Sequence, residues 1–160
     1  MADDGASILE LADEAATARL AAALARLARP GDVIALVGTL GAGKTAFARA
    51  FVRALGDPDA DVPSPTFTLV QTYDVAPAPV WHMDAYRLKA AEEAYELGIE
   101  EAFAEGITLI EWPDRLESLL PADRLDLRLE IGPEPGKGTA RRAVLAGGGD
   151  WPQRLAGLHV

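Results

Sequence analysis

The stretch Gly38-Thr39-Leu40-Gly41-Ala42-Gly43-Lys44-Thr45 carries residue types at a spacing that suits phosphate chemistry. It satisfies G-x-x-x-x-G-K-[ST], in which glycines let the backbone curl until successive N–H groups point into one concavity. Gly38, Leu40, Gly41, Ala42 and Gly43 form that cradle, because a Cβ at the glycine positions would obstruct the curl or the approach of phosphate. Lys44 is then placed to reach the β- and γ-phosphates, and the Thr45 hydroxyl to ligate Mg²⁺. A helix starting at this point adds its positive N-terminal end. The chemistry read here is binding of a nucleoside triphosphate.

A phosphate loop needs a further acidic group to hold or orient Mg²⁺, at the C-terminal end of a neighbouring strand. Two residues qualify, Asp84 after Val80–Met83 and Glu111 after Ile107–Ile110. One is expected to bind the metal and the other to position or activate the attacking water, and the residues leave open which does which. Ser64-Pro65-Thr66 lies between the loop and Asp84, where switch-type NTPases carry a Thr that closes over γ-phosphate; it also reads as an ordinary strand-initiating turn. His82 shares a face with Asp84 by alternation, and a structural role fits it equally. Trp112 can stack on a base or fill the core. Arg87 and Arg115 are candidates for neutralising phosphate charge.

These groups need elements to hold them. Asp32–Val37 is a short, mostly apolar run, as expected of a strand buried on both faces. After the loop, Ala46–Leu55 places Phe47, Phe51 and Leu55 on one helical face, and Gly56 stops it. Upstream, Ile8–Leu11 suits a short edge strand, and Asp13 caps a helix to about Ala28. Downstream, Phe67–Tyr73 and Val80–Asp84 suggest a hairpin, and Ala90–Phe103 a helix broken near Gly98. Ile107–Ile110 is a buried strand, Pro113 opens a short helix to about Leu120, and Leu125–Ile131 alternates as a half-exposed strand. Arg142–Leu145 pairs with it across a Gly/Pro-rich turn, and a short helix near Trp151–Leu155 follows. The expectation is an α/β fold. Residues 1–160 form a single compact P-loop NTPase-like domain with a mixed sheet flanked by helices.

Hydrophobic residues at 49% and charged residues at 25% describe a globular chain of one domain's size. With no cysteine there is no disulfide partner and no thiolate metal site. The acidic N-terminus lacks the apolar core of a secretory signal, and no run is long enough to span a membrane, so a cytoplasmic protein is expected. The net charge of −10 argues against direct, strong binding to polyphosphate, so any work on RNA would run through a protein partner.

The motifs together resemble the TsaE (YjeE) family of small bacterial ATPases. The likeness is carried by Leu36–Thr45, Ser64-Pro65-Thr66-Phe67, His82-Met83-Asp84-Ala85-Tyr86-Arg87-Leu88 and Ile110-Glu111-Trp112-Pro113, and it spans almost the whole chain. It implies a role in making threonylcarbamoyladenosine beside the anticodon of tRNAs that read codons beginning with A. The implied partners are TsaD-like and TsaB-like proteins, with tRNA met only through the complex. The implied cofactors are ATP and Mg²⁺. By this likeness Lys44 and Thr45 contact phosphate and metal, Glu111 is a metal-side carboxylate, and Asp84 and Thr66 serve hydrolysis. Trp112 lies beside the nucleotide, Thr17 matches a position where the family tends to have Thr, and Arg142 is placed near the nucleotide. Thr39 stands where the family usually has Asp. Two other readings of the same loop are a small-molecule kinase and a nucleotide-binding interaction module with vestigial hydrolysis.

Overall fold

The computed structural model describes residues 6–39, 41–65, 69–131, 138, 140–158 and 160, with the Glu117 side chain left out. Leu40 and Thr66, both expected at the site, lie outside the described residues, as do Phe67 and most of the turn at 132–139.

Seven strands form one sheet. They are β1 (Ser7–Leu11), β2 (Val33–Val37), β3 (Val70–Tyr73), β4 (Val80–Asp84), β5 (Ile107–Glu111), β6 (Leu125–Ile131) and β7 (Arg141–Gly147), in the spatial order β1-β7-β6-β2-β5-β4-β3. The four middle strands, β6, β2, β5 and β4, run parallel, so their C-terminal ends share one edge of the sheet. On the flanks, β3 runs antiparallel to β4, β7 to β6, and β1 to β7. The sheet is therefore mixed, as expected.

Apolar residues on both faces of the middle strands require cover on both sides. Helices α1 (Glu14–Leu27) and α2 (Lys44–Leu55) supply it on one face. There Leu20, Leu24, Phe47 and Phe51 pack on Ile34, Leu36, Leu109 and Leu127. The Asp13 carboxylate caps α1 by accepting from the Ala16 N–H at 2.8 Å. Helix α4 (Trp151–Leu155) closes the same core, with Trp151 fully buried. The opposite face is covered by α3 (Ile99–Glu105) and by 3-10 segments at Ala91–Leu97 and Pro113–Leu119, through Ala94, Ile99 and Leu116 against Met83 and Ile110.

Two elements differ from expectation. The segment 90–103 is 3-10 in its first half, and Gly98 (φ 87) turns the chain into α3. A Cβ at Gly98 would stand 3.1 Å from the Trp81 ring, so glycine answers both the turn and the close approach. Strand β3 is Val70–Tyr73: Leu69, expected in the strand, has φ 68 and leaves the extended region, and the expected start at Phe67 lies outside the described residues.

Candidate nucleotide site

Alternation along β4 and β5 sends His82, Asp84, Leu109 and Glu111 to the face covered by α2, since Val80, Ile107 and Leu109 belong to that core. Asp84 and Glu111 are paired in register at the ends of neighbouring strands. Helix α2 begins at Lys44, directly after the loop, so Lys44 and Thr45 meet the two carboxylates. Gly41 (φ 83) and Gly43 (φ 105) supply the left-handed curl. A Cβ at Gly38 would stand 2.7 Å from the Leu129 carbonyl, so the loop lies against β6.

The Thr45 hydroxyl lies 3.1 and 3.3 Å from the two Glu111 carboxylate oxygens. One of these oxygens also lies 2.7 Å from His82 Nε2, and His82 is fully buried. Asp84 Oδ1 accepts from the Tyr86 N–H at 2.9 Å. Lys44 Nζ donates to the Gly38 carbonyl at 2.5 Å and sits 3.6 Å from the centre of the Trp112 ring. Trp112 reaches this place because its φ of 59 reverses the chain immediately after Glu111. Left-handed backbone is uncommon for a bulky residue and concentrates at functional sites. The Trp112 ring then packs on Tyr86, with centroids 5.0 Å apart.

Burial pulls the pKa of Lys44 below its ordinary 10.5, while Glu111, then Asp84 and Asp114, oppose the shift. A cavity of about 450 Å³ opens among Gly43, Lys44, Thr45, Ser64, Asp84 and Glu111. Among the described residues no three His, Cys, Asp or Glu side chains could hold a metal by themselves. A hydroxyl, two carboxylates and a lysine beside an N–H-lined loop instead suit a hard cation shared with phosphate oxygens, since Mg²⁺ takes one or two carboxylates and completes its shell elsewhere. The donors fit both groups.

The structure brings Gly38, Gly41, Ala42, Gly43, Lys44, Thr45, Asp84, Glu111 and Trp112 together. Thr17, buried on α1, faces the loop from the other side across a cavity of about 220 Å³ shared with Gly41, Gly43 and Arg141. Arg115 sits one layer back. The 3-10 segment after Trp112 carries it over the Tyr86 ring, at 5.4 Å from the centroid, with Nη1 donating to the Leu88 carbonyl.

Arg142 is a correction. Its Nε donates to Glu10 at 2.8 Å on β1, and the pair is exposed. Its neighbour Arg141 holds the loop, with Nε donating to the Ala42 carbonyl at 2.8 Å and Nη2 to that of Gly41 at 3.0 Å. Successive strand residues point to opposite faces, and Arg141 shares the helix-covered face with Ala143 and Leu145. The apolar alternation of residues 143 and 145 was the available signal.

A parallel strand running into a glycine-rich loop and a helix, beside neighbours that end in carboxylates, defines a P-loop NTPase-like α/β domain. The family model described as threonylcarbamoyl adenosine biosynthesis protein TsaE matches residues 11–142. Two proteins named tRNA threonylcarbamoyladenosine biosynthesis protein TsaE are close relatives. That of Rickettsia felis is 41% identical over 78% of this chain and 72% of its own length. That of Bacillus subtilis is 42% identical over 69% of each. The crystal structure of Bacillus subtilis YdiB superposes with a TM-score of 0.77 at 30% identity, covering 94% of this chain and 91% of that one. The chain belongs to the TsaE family.

Proposed function

We propose that this chain is the Mg²⁺-dependent ATPase of threonylcarbamoyladenosine formation in tRNAs that read codons beginning with A. It works in the cytoplasm with TsaD-like and TsaB-like proteins, and its acidic surface leaves tRNA to those partners. Family membership supports the pathway. The observation that carries the chemistry is the convergence of the Thr45 hydroxyl, the Glu111 carboxylate and Lys44 on one cavity at the loop.

In this reading, loop N–H groups and Lys44 bind the phosphates, and Thr45 with Glu111 or Asp84 holds Mg²⁺. When bound, Mg²⁺ neutralises charge that develops on the phosphates. The carboxylate that does not hold Mg²⁺ accepts a hydrogen bond from the attacking water and orients it. Lys44 must exchange the Gly38 carbonyl and the Trp112 face for phosphate oxygens, so nucleotide binding and Trp112 position are linked. Thr66 extends this set as a switch residue, and Thr17 borders the nucleotide from α1.

The test is reconstitution. The chain is mixed with TsaD-like and TsaB-like proteins, ATP, Mg²⁺ and tRNA, and modified tRNA and inorganic phosphate are counted over many turnovers. The expected result is modification that requires this chain and releases phosphate. Turnover without it, or transfer of the γ-phosphate to a small acceptor, refutes the proposal.

A further inference from the structure

The loop has two sides. A loop that offers N–H groups to phosphate must settle its carbonyls on the side of the protein, where each needs a donor or the loop will turn it elsewhere. Lys44 takes the Gly38 carbonyl at the front, and the carbonyls of Gly41 and Ala42 both go to Arg141. The remaining nitrogen of that guanidinium, Nη1, donates to the carbonyls of Ala140 at 2.8 Å and Gly138 at 3.2 Å. One side chain thus fastens two adjacent peptide planes of the loop to the start of β7.

Glycine makes both of those planes easy to turn over. The first joins Gly41 to Ala42 and the second joins Ala42 to Gly43, so each has a glycine on one side. Glycine accepts either sign of φ at little cost. Because a peptide unit is rigid and trans, fixing its carbonyl also fixes the N–H on its opposite side. Holding the Ala42 carbonyl sets the direction of the Gly43 N–H. Holding the Gly41 carbonyl sets that of the Ala42 N–H, which donates to the Thr39 carbonyl at 3.0 Å and closes the turn.

We propose that Arg141 is a positioning residue which keeps the loop in its phosphate-binding form before nucleotide arrives. The inference rests on the reading of this loop as a nucleotide site. Arg141 acts on affinity through the loop's shape, and the contribution is the ordering that binding would otherwise have to impose. Its fork matters as well as its charge, since two loop carbonyls are gripped by two nitrogens of one plane.

The test compares Arg141→Met, Arg141→Lys and, as the same-strand control, Arg142→Ala in the full chain. Dissociation constants for ADP and for a non-hydrolysable ATP analogue are measured by calorimetry with Mg²⁺, and amide exchange of residues 38–45 is followed without nucleotide. Arg141→Met is expected to weaken both nucleotides alike, by about 10- to 100-fold, because an ordering cost about the size of one charge-assisted hydrogen bond passes to the binding step. Arg141→Lys keeps charge and stem and safeguards against a variant that fails to fold; it is expected to lose at least about half of that effect in logarithmic terms. Amide exchange at Ala42 and Gly43 should speed up in both, and Arg142→Ala should match wild type. Affinities of Arg141→Lys and Arg141→Met within about 2-fold of wild type overturn the inference. So does a loss confined to the ATP analogue, which would make Arg141 a direct γ-phosphate contact. If wild type itself binds neither nucleotide, the functional reading fails instead, and the two failures are distinct.

Discussion

Replacing His82 probes the polar bond buried most deeply behind the site. The side chain is fully buried, and Nε2 lies 2.7 Å from a Glu111 oxygen that is itself barely exposed. Nδ1 has no hydrogen-bond partner among the described residues, so the imidazole's polar contact with the protein is the one to Glu111. His82→Leu keeps the volume nearly constant and removes the donor. Glu111 is left with the Thr45 hydroxyl at 3.1 and 3.3 Å and the charge of Lys44. Loss of a hydrogen bond to a charged group costs about 1.5–3 kcal/mol. The change of shape adds under about 1 kcal/mol. The sum of about 1.5–4 kcal/mol lowers Tm by roughly 3–16 °C in a chain of this size.

His82→Gln separates the bond from the packing, because its Nε2 can occupy the place of the imidazole nitrogen. It should recover at least about 1 kcal/mol of the loss. The assay is calorimetric melting with chelator and without nucleotide, so that ligand linkage plays no part. A double-mutant cycle with Glu111→Gln completes it, and His82→Leu should cost less in that background by about 1 kcal/mol or more. A His82→Leu protein that melts with wild type refutes the reasoning. Equal losses for Leu and Gln would assign the effect to packing alone.

Because burial lowers the Lys44 pKa below 10.5, the unfolded chain binds more protons than the folded one in the alkaline window below that value, and stability rises with pH there. Bound phosphate raises the pKa again, so nucleotide binding in that window takes up a proton and weakens as pH rises. Calorimetry in buffers of different ionisation enthalpy reads the uptake, and none detected would contradict the assignment of Lys44 to phosphate. Far from the site, Arg154 donates to both Asp32 oxygens at 2.6 and 2.8 Å and to the Leu27 carbonyl at 3.0 Å, tying α4 to the turn before β2. Arg154→Met leaves a largely buried carboxylate with the Arg29 N–H and no cation, and should cost about 3 kcal/mol, near 6–12 °C in Tm, with ADP affinity per folded molecule unchanged.

The strands that carry the site were legible because each had a strong local pattern. Val33–Val37 is apolar without interruption, Ile107–Ile110 is broken by Thr108 alone, and Leu125–Ile131 alternates, so burial on two faces or one could be read directly. The loop is legible for the same reason, since its glycines answer a backbone demand that few other residues meet. His82 was placed beside Asp84 by alternation, but its partner Glu111 depends on the register between β4 and β5, which no local pattern states. Leu69 and Trp112 adopt left-handed backbone that neither side chain favours, so tertiary packing imposes it. The Arg141 contact joins the loop to a strand about a hundred residues later. The apolar alternation of Ala143 and Leu145 puts Arg141 on the covered face of β7, but only the fold brings that face to the loop.

That contact gives the antiparallel flank of the sheet a reason to exist. Parallel strands can deliver only their C-terminal ends to the mouth of the site, and β2, β4 and β5 do so with Gly38, Asp84 and Glu111. The side chains so delivered include two carboxylates, which repel phosphate unless cations balance them. An antiparallel neighbour begins where its partner ends. Strand β7 therefore brings its first residue to that edge, with Arg141 opposite Ile131 at the end of β6. Strand β1 ends there too, with Leu11 opposite Arg141, and hands the chain through Asp13 to α1 and Thr17. Strand β7 thus supplies a cation behind the loop that strands of the parallel set could not bring, and β1, which runs in their direction, leads to a hydroxyl beside it.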